Sequence, residues 1–543
     1  MELYSYSQNY EIQYVLKPSN FQEIDFVFTT PLISIDKNIN EWKLEETDFK
    51  DEEVINSMHR CYWFFYDYNK FDKIAIADLN NLIKAWIFEN QYQYNDVAWH
   101  PYTSTERVMS YCISFLLKEP FSKLKDSIVN DNVIRSLFNN TIINNLKSLE
   151  YYPSGISYNH VVNDLRGVLA SAILLDDEKL KMETFKQLIF ELNLILDDDG
   201  ILREGSSHYH LIITRWILEM ECFLCESGEI ELVSILKTYT TKMLKGVNFF
   251  ISGLSINSMP LFGDISPDLD PEWILRYFKE LLNTHSGSKT YATMLKSRFD
   301  IGQHISNESD TLSLSNYTRI SKGDWIVFIK HQFSRGEFFP NHSHDDNFNI
   351  IVYFKGERLI IDPGRDSYLL PPTKNVFCSS DSHNIRVING ISLDMPESLK
   401  YYFPYVYYKS EFKKEMISDT ELKFKISTNS VRRALNDNNS NFNREVIVND
   451  ESITIIDYIE SSCTAKIDIE YKLCFGPTCK FVEGQENDIT INMSGSDFKL
   501  YTYCKTDRIE SEKYCLSYNN VGDTVAAKWN SLERIKSFKL KIA

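Results

Sequence analysis

The spacing of apolar residues divides the chain into two halves with different periods. In the first half, apolar side chains recur every three or four residues, which is the spacing of one face of an α-helix. Such stretches lie at residues 53–68, 76–91, 105–119, 130–152, 162–175, 179–196, 210–226, 231–252 and 271–284. Serial helices joined by short links usually pack antiparallel on their neighbours. We therefore predict about nine or ten helices, in a helical domain of residues 1–300.

The second half alternates apolar and polar residues with a period of two. Polar stretches rich in Ser, Asn and Gly, at residues 283–290 and 302–316, separate it from the helical half. The alternating stretches lie at residues 324–333, 347–364, 383–390, 444–461, 465–476, 488–495, 497–505 and 537–543. Strands spaced by turn residues are typical of antiparallel sheets. We therefore predict an antiparallel β-sandwich over residues 301–543.

Length and charge narrow the classes of function. A chain of 543 residues is long enough for two domains. Its net charge of −18, without a basic block, argues against nucleic acid and anionic membranes as partners. The sequence contains no apolar run long enough for a membrane span, and its start lacks the basic and apolar regions of a secretory signal. We expect a cytoplasmic protein, with export as the alternative.

The strongest chemical signal is the stretch NHSHDDNFNIIVYFKGERLIIDPGRDSY, residues 341–368. On an extended strand, His342 and His344 would point to the same side, because side chains alternate with a period of two. A hairpin around Lys-Gly-Glu would return Asp362 beside them, and His383 begins another predicted strand. His344, Asp362 and His383 thus form a ligand set of the kind that zinc takes, with a fourth position for water. The alternative is that these histidines only form hydrogen bonds within the hairpin.

Three segments of the helical half carry further polar groups. SYNHVVNDLRG places Asn159 and His160 at the start of a predicted helix, and DDDGILREGSSHYHLIITRW places Tyr209 near the entrance of another. DVAWHPYTSTERVMSY carries Arg107 one turn into a third helix. Each feature alone is commonplace, since an asparagine before a helix is usually only a cap. What points to a function is the occurrence of all these segments in this order along the chain.

In that order, the four segments resemble the heparinase II/III family of polysaccharide lyases and its alginate-lyase relatives. The resemblance extends from about residue 40 to about residue 390. It implies an incomplete (α/α) toroid followed by an antiparallel β-sandwich, in agreement with the two periods. It also implies β-elimination at a uronic acid of a polysaccharide or oligosaccharide. A proton leaves C5, the oxygen leaves C4, and the product is an unsaturated uronate.

The resemblance assigns catalytic roles to four residues. It implies that Asn159 and His160, with His342 close by, neutralise the substrate carboxylate and stabilise the developing enediolate. Tyr209 matches the catalytic tyrosine of the family. A phenol has an ordinary pKa near 10, so it needs a cation or a hydrogen-bond donor to act as a base, but no help to act as an acid. In syn elimination one tyrosine can do both, whereas in anti elimination His160 can take the proton; the sequence leaves both open.

The resemblance also implies a metal. His344, Asp362 and His383 match positions that bind zinc in some members, where the ion would be structural rather than catalytic. Two departures from the family pattern lie beside this site: Asp345 replaces a small residue, and residues 348–350 read Phe-Asn-Ile. These departures leave the identity of the substrate open.

Substrate contacts are expected from charged residues in or beside the four segments. We expect Arg107, Glu204 and Arg365 to contact substrate. An acidic glycan would need a local positive patch against the overall negative charge, and a guanidinium presents two parallel donors to a carboxylate or sulfate. The candidate arginines are Arg107, Arg166, Arg203, Arg335 and Arg365.

Two other classes of function remain as alternatives. The first is a zinc-dependent glycan hydrolase that uses a water on His344, Asp362 and His383. The second is a non-catalytic glycan-binding protein of surface-polysaccharide metabolism. The co-occurrence of Asn159, His160 and Tyr209 favours a lyase, acting on imported oligosaccharides or in surface-polysaccharide metabolism. An acidic glycan is the expected partner, and homodimer formation is left open.

Overall fold

The computed structural model divides the chain into two compact units. It describes residues 25–29, 34–38, 51–66, 72–94, 96–148, 158–282, 290–299, 311–314, 316–331, 342–371, 374–390, 410–418, 421–429, 431–462, 467–485, 488–502, 508–531 and 535–542. Unit 1 comprises Met1–Leu196, Leu211–Leu244 and Pro267–Ile305, and unit 2 comprises Asp197–His210, Lys245–Ser266 and Ser306–Ala543. The change of unit near residue 305 lies close to the expected domain boundary. In addition, two segments from the helical half group with unit 2.

The helical period of the first half is confirmed. Each predicted stretch overlaps one of the observed helices. These are α1 Glu52–His59, α2 Ile76–Glu89, α3 Pro101–Leu116, α4 Phe121–Val129, α5 Asn132–Lys147, α6 Asn159–Leu174, α7 Glu178–Ile195, α8 Ser207–Glu226, α9 Ile230–Ile251, α10 Pro271–Leu282 and α11 Tyr291–Phe299. The period does not predict α4, α11 or an antiparallel hairpin of β1 (Asp25–Thr29) and β2 (Ser34–Asn38). Most of the two polar separating stretches lies outside the described residues.

Acidic caps and apolar contacts explain where the helices of unit 1 begin and pack. The side chains of Asp51, Asp131 and Asp177 accept hydrogen bonds from backbone N–H groups in the first turns of α1, α5 and α7. One apolar cluster joins α5, α6 and the start of α7, and its buried members are Ile142, Leu146, Val168, Ala172 and Leu180. The helices therefore pack through the apolar faces that their spacing predicts.

Unit 2 contains three antiparallel sheets within the described residues. Their strands are β3 Thr311–Leu314, β4 Tyr317–Lys322, β5 Trp325–Lys330, β6 Ile350–Phe354, β7 Glu357–Ile360, β8 Arg386–Ile388, β9 Ser410–Ser418, β10 Glu421–Thr428, β11 Asn441–Val448, β12 Ser452–Glu460, β13 Ile469–Cys474, β14 Cys479–Gln485, β15 Asp488–Met493, β16 Ser496–Thr502, β17 Arg508–Ser517, β18 Asn520–Ser531 and β19 Ile535–Ile542. The sheet orders are β3-β4-β5-β6-β7, β17-β18-β13-β8 and β14-β15-β16-β19-β12-β11-β10-β9. The prediction of antiparallel sheets in the second half is confirmed. Seven of these strands lie outside the predicted alternating stretches, and β3 lies within a stretch predicted to be a linker; the seven are β3, β4, β9, β10, β14, β17 and β18.

The three sheets of unit 2 share one hydrophobic core. Burial alternates along most of β12, as the period of two predicts for residues 444–461. Every residue of β5 and β6 is buried. Trp325, Phe424 and Tyr471, one from each sheet, belong to the same cluster of buried side chains. The inward faces of the sheets therefore bury each other's apolar residues.

Among the helices that the structure describes, none is both long and apolar enough to cross a lipid bilayer. This observation agrees with the absence of a long apolar run in the sequence.

Candidate active site

Tyr209 lies in the first turn of α8, as the sequence predicts. The backbone N–H of Tyr209 donates to Ser206 Oγ at 3.1 Å, which is the geometry of a helix cap. The Ser206 hydroxyl in turn donates to the carbonyl of Asp264 at 2.7 Å. The start of the helix is therefore held against the segment that carries Asp264, and both segments belong to unit 2.

The phenol of Tyr209 contacts two further side chains of unit 2. Its ring stacks on the His342 imidazole, with centroids 3.7 Å apart and planes 10° from parallel. Its hydroxyl lies 2.8 Å from the hydroxyl of Tyr368. Burial raises the pKa of Tyr368 well above its ordinary value, Asp264 and Tyr209 raise it further, and Arg365 opposes them. Tyr368 is therefore a neutral hydroxyl beside Tyr209.

A single buried carboxylate, Asp264, connects these groups. Its Oδ2 lies 2.9 Å from His342 Nδ1 and accepts from the Tyr368 hydroxyl at 3.3 Å. Its Oδ1 lies 2.9 Å from His344 Nε2, and Arg365 Nη1 donates to both oxygens at 2.8 Å. Burial alone would raise the pKa of Asp264, but Arg365 and the two histidines hold it well below its ordinary value. Asp264 is therefore an anion with four side-chain partners.

The convergence of His342 and His344 has a different cause from the one that the sequence suggests. Residues 342–349 have no strand structure, so an alternating strand does not orient the two rings, and that expectation is wrong. The rings instead converge because they bind opposite oxygens of Asp264. The hairpin after them is confirmed, since β6 and β7 pair on either side of a turn at Lys355 and Gly356. His383 lies just before β8 rather than on it.

Glu204 lies beside His342. The Glu204 side chain is fully buried, and its Oε2 is 3.4 Å from His342 Nε2. The backbone N–H of His342 also donates to the carbonyl of Glu204 at 2.9 Å. The imidazole therefore lies between two carboxylates, Glu204 and Asp264. The expected contact of Glu204 with substrate stays a prediction, and its observed contact is with a predicted catalytic group.

His344, Asp362 and His383 form a compact donor set. One ligand atom from each lies within 4.8 Å of the others, and all three residues are buried. Asp362 accepts from the backbone N–H of Gly364 at 2.8 Å, and its Oδ2 lies 2.9 Å from His383 Nδ1. Among the described residues, His344 Nδ1 and His383 Nε2 are buried without a hydrogen-bond partner. Burial lowers the pKa of His344, although Asp264 opposes this shift, and neutral imidazole is the form that binds metals. The set fits a zinc ion.

A second donor set is less suited to a cation. Asp264, His344 and Cys378 also bring one ligand atom each within 4.8 Å of the others. The guanidinium of Arg365 already binds both oxygens of Asp264. A cation there would have to displace or lie against a buried positive charge, so the first set is the better metal site.

Asn159 and His160 belong to unit 1. They are the first two residues of α6, which has 16 residues, and the amino end of a helix attracts negative charge. Asn159 is buried and His160 is partly exposed. The His160 ring stacks on Tyr158 with centroids 4.9 Å apart, and its centroid is also 4.9 Å from that of Tyr102. The catalytic roles of Asn159 and His160 stay predictions.

Arg107 lies in the interior of unit 1. Its side chain is fully buried, and its guanidinium carbon is 3.7 Å from the centroid of the Trp86 ring. Nη1 donates to the carbonyls of His59 at 2.9 Å and Ala98 at 2.7 Å. These contacts explain Arg107 as a group that holds α1, α2 and α3 together. They add no support to the expected contact with substrate.

Two other arginines of the expected positive patch are buried and engaged. Arg166 is fully buried and donates to Glu106 Oε1 at 2.8 Å. Arg365 binds Asp264, as described above. Arg203 is partly exposed, and Arg335 lies outside the described residues. Arg166 and Arg365 therefore do not contribute to an exposed patch, and substrate binding by Arg365 stays a prediction.

Two residues of this cluster are not identified by the sequence. Tyr368 is the last residue of the stretch 341–368, which contains Asp-Pro-Gly. This position is the feature of the sequence that could have indicated its place in the site. Asp264 lies 78 residues before His342 and 101 residues before Arg365. Its surroundings, Phe-Gly-Asp-Ile, have no feature of a metal or catalytic motif. Only the fold reveals Asp264 as the common partner.

Gly263 allows Asp264 to reach this position. Its φ of +71° favours glycine, and an added Cβ would lie 2.3 Å from the carbonyl oxygen of His342 and 2.6 Å from that of Gly205. We expect Gly263→Ala to lower the unfolding temperature more than Gly228→Ala, and to impair the site. Gly228 is a matched control, because its φ is +83° with nothing within 4 Å of an added Cβ. Thermal unfolding tests this, and equal shifts for the two variants would contradict it.

Solved structures of glycan lyases share the fold of the chain. A heparan sulfate lyase mutant from Pedobacter heparinus matches with a TM-score of 0.58 and 15% identity, over 99% of this chain and 87% of that one. A heparinase III matches with a TM-score of 0.60 and 15% identity, over 92% of this chain and 79% of that one. A chondroitin AC lyase from Streptomyces coelicolor A3, in complex with chondroitin sulphate, matches with a TM-score of 0.51 and 9% identity, over 90% and 74%. These matches show a shared fold of helices followed by antiparallel sheets.

A family model matches the second half of the chain. Residues 305–533 match the model described as Heparinase II/III-like, C-terminal. No curated protein matches the sequence. Residues 305–533 are therefore similar to the C-terminal part of heparinase II/III-like proteins, which agrees with the resemblance drawn from the motifs.

Proposed function

We propose that this chain is a polysaccharide lyase that cleaves uronate-containing glycans by β-elimination. The observation that carries the proposal is the placement of Tyr209, whose phenol stacks on His342 and lies 2.8 Å from the neutral hydroxyl of Tyr368. A phenol held between an imidazole and a hydroxyl is suited to proton transfer. The fold that the chain shares with heparan sulfate and chondroitin lyases supports the same class of reaction.

Elimination requires that the substrate carboxylate be neutralised first. The proton on C5 is weakly acidic while the neighbouring carboxylate is charged, because the enediolate that forms would carry a second negative charge. We propose that Asn159 and His160 donate hydrogen bonds to that carboxylate. The amino end of α6, where both residues lie, favours an anion through the helix dipole. The stacking of His160 on Tyr158 limits the orientations of the imidazole.

Tyr209 is the proposed proton carrier. As a neutral phenol it can donate to the C4 oxygen when the C4–O bond breaks, and no shift of its pKa is needed. In syn elimination Tyr209 would begin as the phenolate, with the Tyr368 hydroxyl donating to it instead of to Asp264. The Tyr209 oxygen would take the C5 proton and then pass it to the C4 oxygen. His342 fixes the plane of the Tyr209 ring. Asp264 fixes His342 in turn.

We further propose the finer architecture that the family implies. The helices of unit 1 would form an incomplete (α/α) toroid, and the sheets of unit 2 an antiparallel β-sandwich. The order of the elements and the shared core of the three sheets support this arrangement.

We also propose that His344, Asp362 and His383 hold a zinc ion. Two buried imidazole nitrogens of the set have no hydrogen-bond partner among the described residues, which is the condition expected where a metal binds. When bound, the ion would cross-link the segment of His344 to those of Asp362 and His383. Its proposed contribution is therefore structural, because it would fix the segment that carries His342.

The test is an activity assay on a panel of glycans. Heparan sulfate, chondroitin sulfate, hyaluronan and alginate oligosaccharides are incubated with the full chain, and the ultraviolet absorbance of the C4–C5 double bond is followed. We expect at least one uronate glycan to give this signal. Silence across the panel, with material shown to be folded, would count against the proposal. Glycans with glucuronate or its C5 epimer then separate syn from anti elimination.

Tyr368→Phe tests the hydroxyl pair within this mechanism. We expect kcat to fall by about tenfold, the value of one hydrogen bond to a reacting group at roughly 1.4 kcal/mol, with a smaller change in KM. Tyr518→Phe is the control, because the Tyr518 hydroxyl accepts from the backbone N–H of Tyr368 at 2.9 Å rather than from its phenol. Steady-state kinetics measures both variants. Equal kcat values for Tyr368→Phe and the parent would remove Tyr368 from the mechanism.

A further inference from the structure

The partners of Asp264 give this residue a role that no motif assigns. Its carboxylate is almost fully buried and has side-chain contacts with His342, His344, Arg365 and Tyr368. A carboxylate offers about four lone-pair positions and no donor. Four side chains therefore use the hydrogen-bonding capacity of this group.

An acceptor-only partner determines which nitrogen of each imidazole carries a proton. Because the Arg365 guanidinium donates to both oxygens of Asp264, this carboxylate acts as an acceptor, so His342 presents an N–H at Nδ1 and His344 an N–H at Nε2. In the neutral ring of His344, the lone pair then lies on Nδ1. That atom is buried and has no hydrogen-bond partner among the described residues. Asp264 thus leaves the lone pair of His344 on Nδ1, the ring nitrogen that is available to a metal ion.

The same carboxylate also fixes the ring on which Tyr209 lies. Its Oδ2 holds His342 at Nδ1, and the imidazole plane lies 10° from that of Tyr209. Oδ2 also accepts from the Tyr368 hydroxyl, which contacts the Tyr209 hydroxyl. Asp264 therefore acts on the phenol of Tyr209 through two side chains, His342 and Tyr368. It contacts His344 directly.

The backbone around Asp264 is held on both sides. The N–H of Asp264 donates to the carbonyl of His342 at 2.9 Å, and its carbonyl accepts from the Ser206 hydroxyl at 2.7 Å. Two residues later, the N–H of Ser266 donates to His208 Nδ1 at 3.1 Å. The carboxylate can therefore impose an orientation on its partners rather than follow them.

We propose that Asp264 is a positioning residue that couples the zinc ligand His344 to the proton-transfer pair of His342 and Tyr209. One oxygen of the carboxylate orients the metal ligand, and the other orients the imidazole under the phenol. Loss of the carboxylate should therefore weaken zinc binding and slow turnover together. The coupling to turnover rests on the proposed lyase function, whereas the effect on zinc binding does not.

Asp264→Asn is the direct test. Asparagine keeps the shape of the aspartate side chain, but it offers one oxygen acceptor where the partners of Asp264 use two. Its NH2 group would face an N–H of one histidine, so one ring must change its tautomer or turn. We expect zinc affinity, measured by competition with a chromogenic chelator, to fall 10–100-fold, as is usual when a partner of a metal ligand is lost. At saturating zinc, we expect kcat to fall at least tenfold, with a smaller change in KM.

Two further variants keep the test decisive. Asp457→Asn is the matched control, because Asp457 is a buried carboxylate bound by Arg386 and Arg444 within unit 2. It should keep parental zinc affinity even if it is less stable. If Asp264→Asn fails to fold, the double variant Asp264→Asn/Arg365→Gln removes the unpaired guanidinium as well, and it is measured in the same way.

Each outcome decides the proposal. A fall in both zinc affinity and kcat, with parental affinity in Asp457→Asn, supports the coupling. Parental zinc affinity in a folded Asp264 variant would overturn it, as would reduced affinity with unchanged kcat at saturating zinc. If the parent turns over no glycan, the lyase function fails. The zinc measurement alone then decides whether Asp264 orients His344.

Discussion

Replacing Tyr209 with phenylalanine is expected to lower kcat/KM on a uronate glycan by about 10²–10⁴-fold, which is the usual contribution of a general acid or base. The ring would still stack on His342, where the two centroids are 3.7 Å apart, so the fold and the imidazole should keep their positions. Only the hydroxyl that contacts Tyr368 is lost. The rate is measured from the absorbance of the unsaturated product under saturating and subsaturating substrate.

A second tyrosine variant serves as the control for this experiment. The hydroxyl of Tyr458 donates to Glu445 Oε1 at 3.2 Å, between neighbouring strands of the large sheet. Tyr458→Phe should therefore retain parental kinetics and a similar unfolding temperature. If Tyr209→Phe kept parental kinetics as well, the phenol would not be the proton carrier, whatever activity the chain has.

The second large effect is expected from the proposed metal site. Removing zinc with a chelator should lower the unfolding temperature by roughly 5–11 °C. A ligand held at 100 times its Kd stabilises a protein by about 2.7 kcal/mol, and each kcal/mol corresponds to about 2–4 °C for a domain of this size. His383→Ala should start at the lower temperature and show no further response to chelator. Differential scanning calorimetry with and without chelator measures this, together with the zinc content by elemental analysis.

A buried histidine outside the donor set provides the matched control. His331 is buried, and its Nε2 lies 2.7 Å from Thr318 Oγ1 on the neighbouring strand. His331→Ala should lose stability through lost packing but keep one zinc ion and the response to chelator. A parent that purifies without zinc and gains no stability when zinc is added would contradict the proposed site.

The periods of the sequence predict most of the secondary structure, because burial on one face is a local property. The alternation in β12 and the three- and four-residue spacing in α5–α7 are examples. Helices α4 and α11 bury only two and three residues, so few apolar positions mark their periods. Grouping of residues 197–210 and 245–266 with unit 2 depends on long-range contacts, and no local pattern encodes them.

The candidate site is also predicted in part by the sequence and determined in part by the fold. The motif around His342, His344 and Asp362 is visible because its residues are near one another in the sequence. Its geometry depends on Asp264, which is more than 70 residues away and has an ordinary local context. The sequence therefore identifies the histidines but attributes their convergence to a strand. The structure shows that a shared carboxylate is the cause.

The most direct test of the central claim is the mass of the product formed in water labelled with ¹⁸O. A lyase breaks the C4–O bond without adding water, so the new unsaturated end should be one water lighter than a hydrolysis product and should carry no ¹⁸O. A zinc hydrolase acting through His344, Asp362 and His383 would instead insert one labelled oxygen at each cleavage. Unlabelled, dehydrated products that vanish in Tyr209→Phe are what the account predicts, and labelled, hydrated products would contradict it.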